Sequence, residues 1–87
     1  MNTELVKTII KNAIPDAQVI VQDPMNDGQH LQAIVISPAF EGMGLVKQHQ
    51  MVMAPLSKAF ESSVHALALK TFTPAKWNEV KGQYQLD

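Results

Sequence analysis

Ala17-Gln18-Val19-Ile20-Val21-Gln22-Asp23-Pro24-Met25-Asn26-Asp27-Gly28-Gln29-His30-Leu31-Gln32-Ala33-Ile34-Val35-Ile36-Ser37-Pro38 carries two β-rich runs on either side of a turn. Residues 17–22 are a short β-rich run, and residues 31–37, built largely of Val, Ile, Leu and Ala, form a second strand. Residues 23–29 are turn chemistry throughout, and Asp27-Gly28 is a strong turn pair. Two strands joined by a loop of this size predict an antiparallel hairpin.

Working outward, Thr3 is a plausible N-cap with Glu4 in the first turn, where a negative charge suits the helix dipole. Leu5, Val6, Ile9, Ile10 and Ala13 then fall near helical spacing, which predicts a helix over 3–13 that Pro15 ends. Beyond the hairpin, Pro38 breaks the second strand, and a linker runs through Phe40, Gly42 and Gly44. Leu45, Val46, His49, Val52, Met53, Leu56 and Phe60 predict a helix over 45–60 with one broad apolar face. Pro55 falls inside it, where an uninterrupted helix would lose ~3 kcal/mol. A kink is expected there, or two short helices with Pro55 in the first turn of the second. Ser62-Ser63 is a turn, and Val64 to Thr71 is a third strand. Thr73-Pro74 pairs an N-cap with Pro at the first helical position, opening a helix over 74–81 that carries Trp77 and Val80. Residues 82–87 are expected to be a frayed tail.

The order is α-β-β-α-β-α. Strands two and three are joined through a helix, so they are expected to run parallel with a right-handed crossover. The fold expected is α/β (α+β): a three-stranded mixed sheet with helices on one face.

Composition narrows the function. With 87 residues, the chain has room for one domain over 1–87, since domains typically run ~100–150 residues. A domain this small buries only ~60% of its unfolded surface, which leaves one thin core and little space for a deep, dry catalytic pocket. The 46% apolar and 17% charged residues are an ordinary globular mix, so disorder is not expected for most of the chain. Net charge is −1, and all seven basic residues are Lys. Without Arg, the bidentate contacts that favour nucleic-acid binding have no support. Without Cys, disulfides and all-thiolate metal sites are excluded. Met1-Asn2-Thr3-Glu4 does not read as a signal peptide, and no apolar run approaches the ~18 residues of a transmembrane helix. The cytoplasm is the expected location.

An enzyme finds no constellation to build on. There is no phosphate-binding Gly-rich loop, the carboxylates are scattered singly, and no serine stands in a nucleophile elbow. Three histidines remain. His49 lies near the apolar stripe of the main helix and reads as a packing residue. His30 ends the polar loop where the second strand begins, a place where function often sits. His65 is the second residue of the apolar strand Val64-His65-Ala66-Leu67-Ala68-Leu69, and burying a polar ring without a partner costs ~1–3 kcal/mol. Its partner is either a backbone carbonyl or a metal. Parallel pairing would bring His30 and His65 to one sheet edge. Two neutral imidazoles suit zinc, copper or iron, but they leave a four-coordinate site half built.

The run Val64-His65-Ala66-Leu67-Ala68-Leu69-Lys70-Thr71-Phe72-Thr73-Pro74-Ala75-Lys76-Trp77 resembles the defining C-terminal stretch of the BolA family, a V/I-H-A-x-x-x-K-(T/A)-x-T-P-x-x-W pattern. Ser37-Pro38-Ala39-Phe40-Glu41-Gly42 is similar to that family's strand-two exit. Val46-Lys47-Gln48-His49-Gln50-Met51-Val52 with Pro55-Leu56 is similar to its central helix. Asp27-Gly28-Gln29-His30-Leu31-Gln32 resembles the loop of the IbaG-like (YrbA) branch, with Leu31 in place of the usual aromatic. The chain departs from the family in lacking an acidic residue near Ala75 or Lys76 and a basic one near Gln48 or Gln50.

The resemblance implies a fold similar to class II KH domains. It also implies a complex with a monothiol glutaredoxin of the C-G-F-S type, and a [2Fe-2S] cluster held between the two proteins. The glutaredoxin Cys and glutathione would supply thiolates, and this chain would supply histidine. The family's C-terminal ligand position falls on His65, and its loop position on His30. Iron–sulfur trafficking, iron homeostasis and stress response are the roles implied. An apo homodimer, in which the glutaredoxin replaces one copy, is also compatible. Because some relatives are described as transcription regulators, DNA binding is the alternative reading. The KH-type G-x-x-G clamp is not matched by Gly42-Met43-Gly44.

Overall fold

A computed structural model describes residues 3–27, 30–60 and 67–84. Its elements are α1 (Thr3–Ala13), β1 (Gln18–Gln22), β2 (Leu31–Ile36), a 3-10 turn (Pro38–Phe40), α2 (Leu45–Phe60), β3 (Leu67–Phe72), α3 (Pro74–Val80) and a 3-10 turn (Lys81–Gln83). They follow the order expected from the sequence. The sheet order is β1-β2-β3. β1 runs antiparallel to β2, with Gln18 opposite Ile36 and Gln22 opposite Gln32. β2 and β3 are parallel, paired from Leu31–Leu67 to Ile36–Phe72.

Local chemistry sets the joints. Lys11 Nζ donates to the carbonyls of Ala17 (2.6 Å) and Pro15 (3.3 Å), which closes the passage from α1 to β1 around Pro15. At the end of β2 the backbone N–H of Ser37 donates to the Phe72 carbonyl (3.0 Å). The buried Ser37 hydroxyl accepts from Ala39 N (3.0 Å), capping the turn that Pro38 opens. Thr73 caps α3 as expected: its hydroxyl accepts from Lys76 N (3.2 Å), and Pro74 fills the first helical position. The Thr71 hydroxyl donates to Gln48 Oε1 (2.7 Å), and Gln48 Nε2 donates to the Met43 carbonyl (2.8 Å). This link ties β3 to the start of α2.

α2 is one helix from Leu45 to Phe60 with Pro55 inside it, so the expected alternative of two short helices is corrected. Proline lacks an N–H and cannot donate to the Met51 carbonyl, but burial of Val52 and Leu56 on either side holds the helix through it. Each of those side chains is worth ~1.5–3 kcal/mol when buried.

Helices on one face is also corrected, because both faces of the sheet are covered. On one, Val6 and Ile10 of α1 and Val52 and Leu56 of α2 pack with Val19, Leu31, Ala33, Val35 and Leu67. On the other, Ile34 and Ile36 of β2 pack with Trp77 of α3, flanked by Phe72, Val80 and Tyr84. Successive side chains of a strand point to opposite faces. β2 is apolar at both parities, so each face needs its own cover. The expected frayed tail is corrected for residues 82–84: the Tyr84 ring lies 5.5 Å from Trp77 and 6.0 Å from Phe72, centroid to centroid. Such aromatic pairs add ~0.5–1.5 kcal/mol beyond the area they bury.

Two expected apolar stripes run past the core. Leu5 is 47% exposed, Leu45 61% and Val46 71%. Leu45 shares a side of α2 with Val52, but seven residues span ~10 Å of helix axis, and Leu45 lies outside the stretch that Val52 and Leu56 bury. Ser62-Ser63 and the first part of the expected third strand, with His65, lie outside the described residues. No helix among the described residues is long and apolar enough to cross a membrane.

Candidate functional site

The loop between β1 and β2 is folded around its carboxylates. Asn26 N donates to the Asp23 carbonyl (3.0 Å) and Asp27 N to Asp23 Oδ1 (3.2 Å). Asn26 takes the left-handed backbone, φ 52, which Asn tolerates better than most residues. Asp27 then turns to the end of the loop. Its Oδ1 accepts from the backbone N–H of His30 (3.0 Å), and its Oδ2 lies 2.8 Å from His30 Nδ1.

A carboxylate accepts, so the neutral ring that satisfies this contact carries its proton on Nδ1 and its lone pair on Nε2. The same carboxylate grips the backbone and the ring of one residue, which limits how the imidazole can turn. His30 and Asp27 side chains are 61% and 35% exposed, and a polar contact so open to water adds little to stability. The pair orients a ring; it does not hold the fold. A carboxylate on the far nitrogen is the usual support of a metal-ligating histidine.

Beside the ring is an open pocket of about 310 Å³. Pro24 and Met25 of the loop wall it, with Leu31 and Gln32 from the start of β2 and Leu67 and Ala68 from the start of β3. The parallel register explains this meeting, since Leu31 pairs with Leu67. The edge at which β2 and β3 both begin is therefore where the sequence places it, and His30 sits on it. His65, the other expected ligand, lies outside the described residues, two positions before Leu67 in the sequence. His49 is half-buried on α2 and does not line this pocket.

Sequence reasoning took Asp27 for turn chemistry and missed its hold on His30; the three-residue spacing was the signal present. Met25 was likewise read as loop filler. The donor chemistry fits a metal: imidazole nitrogen suits iron, zinc and copper, and this one is oriented and accessible. Among the described residues no three His, Asp or Glu side chains come together as a metal site, so on its own His30 could serve only as one ligand of a larger set.

Comparison with known proteins agrees with this architecture. The family profile described as "BolA-like protein" matches residues 5–76. Acid stress protein IbaG of Escherichia coli (strain K12) is 33% identical over 78 residues, which is 88% of this chain and 89% of that protein. A bolA protein homologue from Coxiella burnetii has a similar structure, with TM-score 0.73 and 33% identity, covering 90% of this chain and 97% of its own. BolA1 from Arabidopsis thaliana matches with TM-score 0.72 and 25% identity, over 87% of this chain and 96% of its own. With its mixed sheet, its C-terminal Thr73-Pro74 cap and Trp77, and a match running through most of its length, the chain belongs to the BolA family, on the IbaG-like branch.

Proposed function

We propose that this chain shares a [2Fe-2S] cluster with a monothiol glutaredoxin and serves iron–sulfur trafficking and iron homeostasis under stress. The observation that carries the reading is the His30 ring, held through Nδ1 by Asp27 beside an open pocket at the β2–β3 edge. A chain without cysteine can offer a cluster nitrogen but no thiolate, so a partner has to bring the sulfur. His30 and His65 are the donors on this side; glutaredoxin Cys and glutathione complete the set. The cluster is cargo, and histidine ligation tends to raise its potential. This chain's part is to present oriented imidazole and to leave room for the partner. The name of the Escherichia coli relative, an acid stress protein, agrees with a role under stress.

The test mixes the chain with cluster-loaded monothiol glutaredoxin and follows visible absorbance and circular dichroism. His65→Ala is expected to abolish stable sharing while the far-ultraviolet spectrum stays native. His30→Ala is expected to weaken it less, because water or a neighbour can take the place of a loop ligand. His49→Ala should leave it unchanged. Wild-type spectra and stability from His65→Ala would remove that residue from the ligand set, and no spectral change on mixing wild type would remove the proposal itself.

A further inference from the structure

Met25 differs from the chain's other described methionines. Met43, Met51 and Met53 are partly buried against the core of the first sheet face. Met25 is 65% exposed and forms a wall of the pocket that His30 lines. A thioether in water is open to peroxide, whereas one packed in a core is shielded. We propose that Met25 is a peroxide-sensitive wall of the His30 pocket and that its oxidation weakens docking there, an inference that rests on the pocket being the docking site proposed above.

The chemistry needs a hydroperoxide, hydrogen peroxide in the simplest case. The thioether sulfur attacks one peroxide oxygen and the O–O bond breaks. Sulfur gains that oxygen and loses two electrons, and the other oxygen leaves as water after taking up both protons. The product is methionine sulfoxide, polar where the thioether was apolar. Pro24, Leu31, Leu67 and Ala68 around it are apolar, with Gln32 the amide in the lining, so a partner closing over the pocket would strip more water from the sulfoxide than the pocket's hydrogen bonds replace. A desolvated polar group of this size corresponds to roughly tenfold weaker binding. Methionine sulfoxide reductases reverse the change, so the wall would be a switch.

The experiment treats the intact protein with graded hydrogen peroxide and maps each methionine by peptide mass spectrometry. Binding to cluster-loaded monothiol glutaredoxin and the NMR resonances of the His30 ring are measured before and after, in wild type and in Met25→Leu. Met25 is expected to gain oxygen before Met43, Met51 and Met53. Wild type should then bind about tenfold more weakly with shifted His30 resonances, and Met25→Leu should show neither response, whatever its starting affinity. Oxidation of the other three methionines at the same rate, or equal responses in the two proteins, would overturn the inference. If untreated wild type does not bind the glutaredoxin at all, the functional proposal falls, and the ring resonances decide alone. A peroxide shift seen in wild type but not in Met25→Leu sustains the redox wall; its absence refutes it.

Discussion

Both carboxylate oxygens of Asp27 meet His30, Oδ1 at its backbone N–H and Oδ2 at its ring. Asp27→Asn keeps the size and one carbonyl acceptor but loses the charge. Weakening the carboxylate that holds the far nitrogen of a metal-ligating histidine typically lowers metal affinity ~10–100-fold, so the variant should bind the cluster-loaded partner correspondingly more weakly at an unchanged melting temperature. A titration at constant pH measures it. The pH response has a fixed sign. A proton and a metal compete for the same imidazole lone pair, so the shared complex should be lost on the acid side. Spectra recorded from pH 8 downward test this, with greater persistence in acid counting against imidazole ligation. His30 was open to notice in the sequence because it ends a polar loop where a strand begins, a place where function often sits. Asp27 was not, because Asp-Gly reads first as a turn, and only the folded loop brings its oxygens round to residue 30.

Among the elements, the helices and strands fall close to where periodicity and Pro/Gly boundaries put them, because capping and breaking are local effects. The failures are where tertiary packing overrides a local rule. Pro55 should end or split α2 on its own terms, yet the helix continues through it. The proline's cost to the helix is measurable. Replacing a mid-helix proline by alanine gains up to ~3 kcal/mol of helix propensity, and the freer unfolded chain takes back ~0.4–1 kcal/mol. Pro55→Ala should therefore raise stability by up to roughly 2–2.6 kcal/mol, seen as a higher urea midpoint at the same slope. A lower midpoint would mean that the native packing needs the proline's local geometry. Leu45 and Val46 teach the opposite lesson: an apolar pattern on a helix continues after the surface it covers has ended.

At the scale of the whole molecule, the sheet has two clusters on its two faces, and the sequence reading supplied only one. The missed signal was in Leu31-Gln32-Ala33-Ile34-Val35-Ile36, where positions 33 to 36 are apolar without alternation, the pattern of a strand buried on both sides. Trp77 closes the second face, so Trp77→Ala should cost ~3–5 kcal/mol; a chemical denaturation curve reads the loss directly, and a change within ±0.5 kcal/mol, the range of ordinary surface substitutions, would mean that Ile34 and Ile36 find other cover. The pocket is at the opposite end of β2, so its chemistry should survive wherever the variant is folded. The register of β2 between its neighbours also bears on how the chain assembles. β1 reaches β2 through a short loop, while β3 reaches it only after the whole of α2, a longer closure with a larger entropy cost and a slower pairing. His30 adjoins the β1–β2 hairpin, whereas the Leu31–Leu67 edge forms only when the crossover to β3 closes. A chain that has made only its quick contacts would carry one donor and no edge, so a partner that needs both would engage only chains that have finished folding.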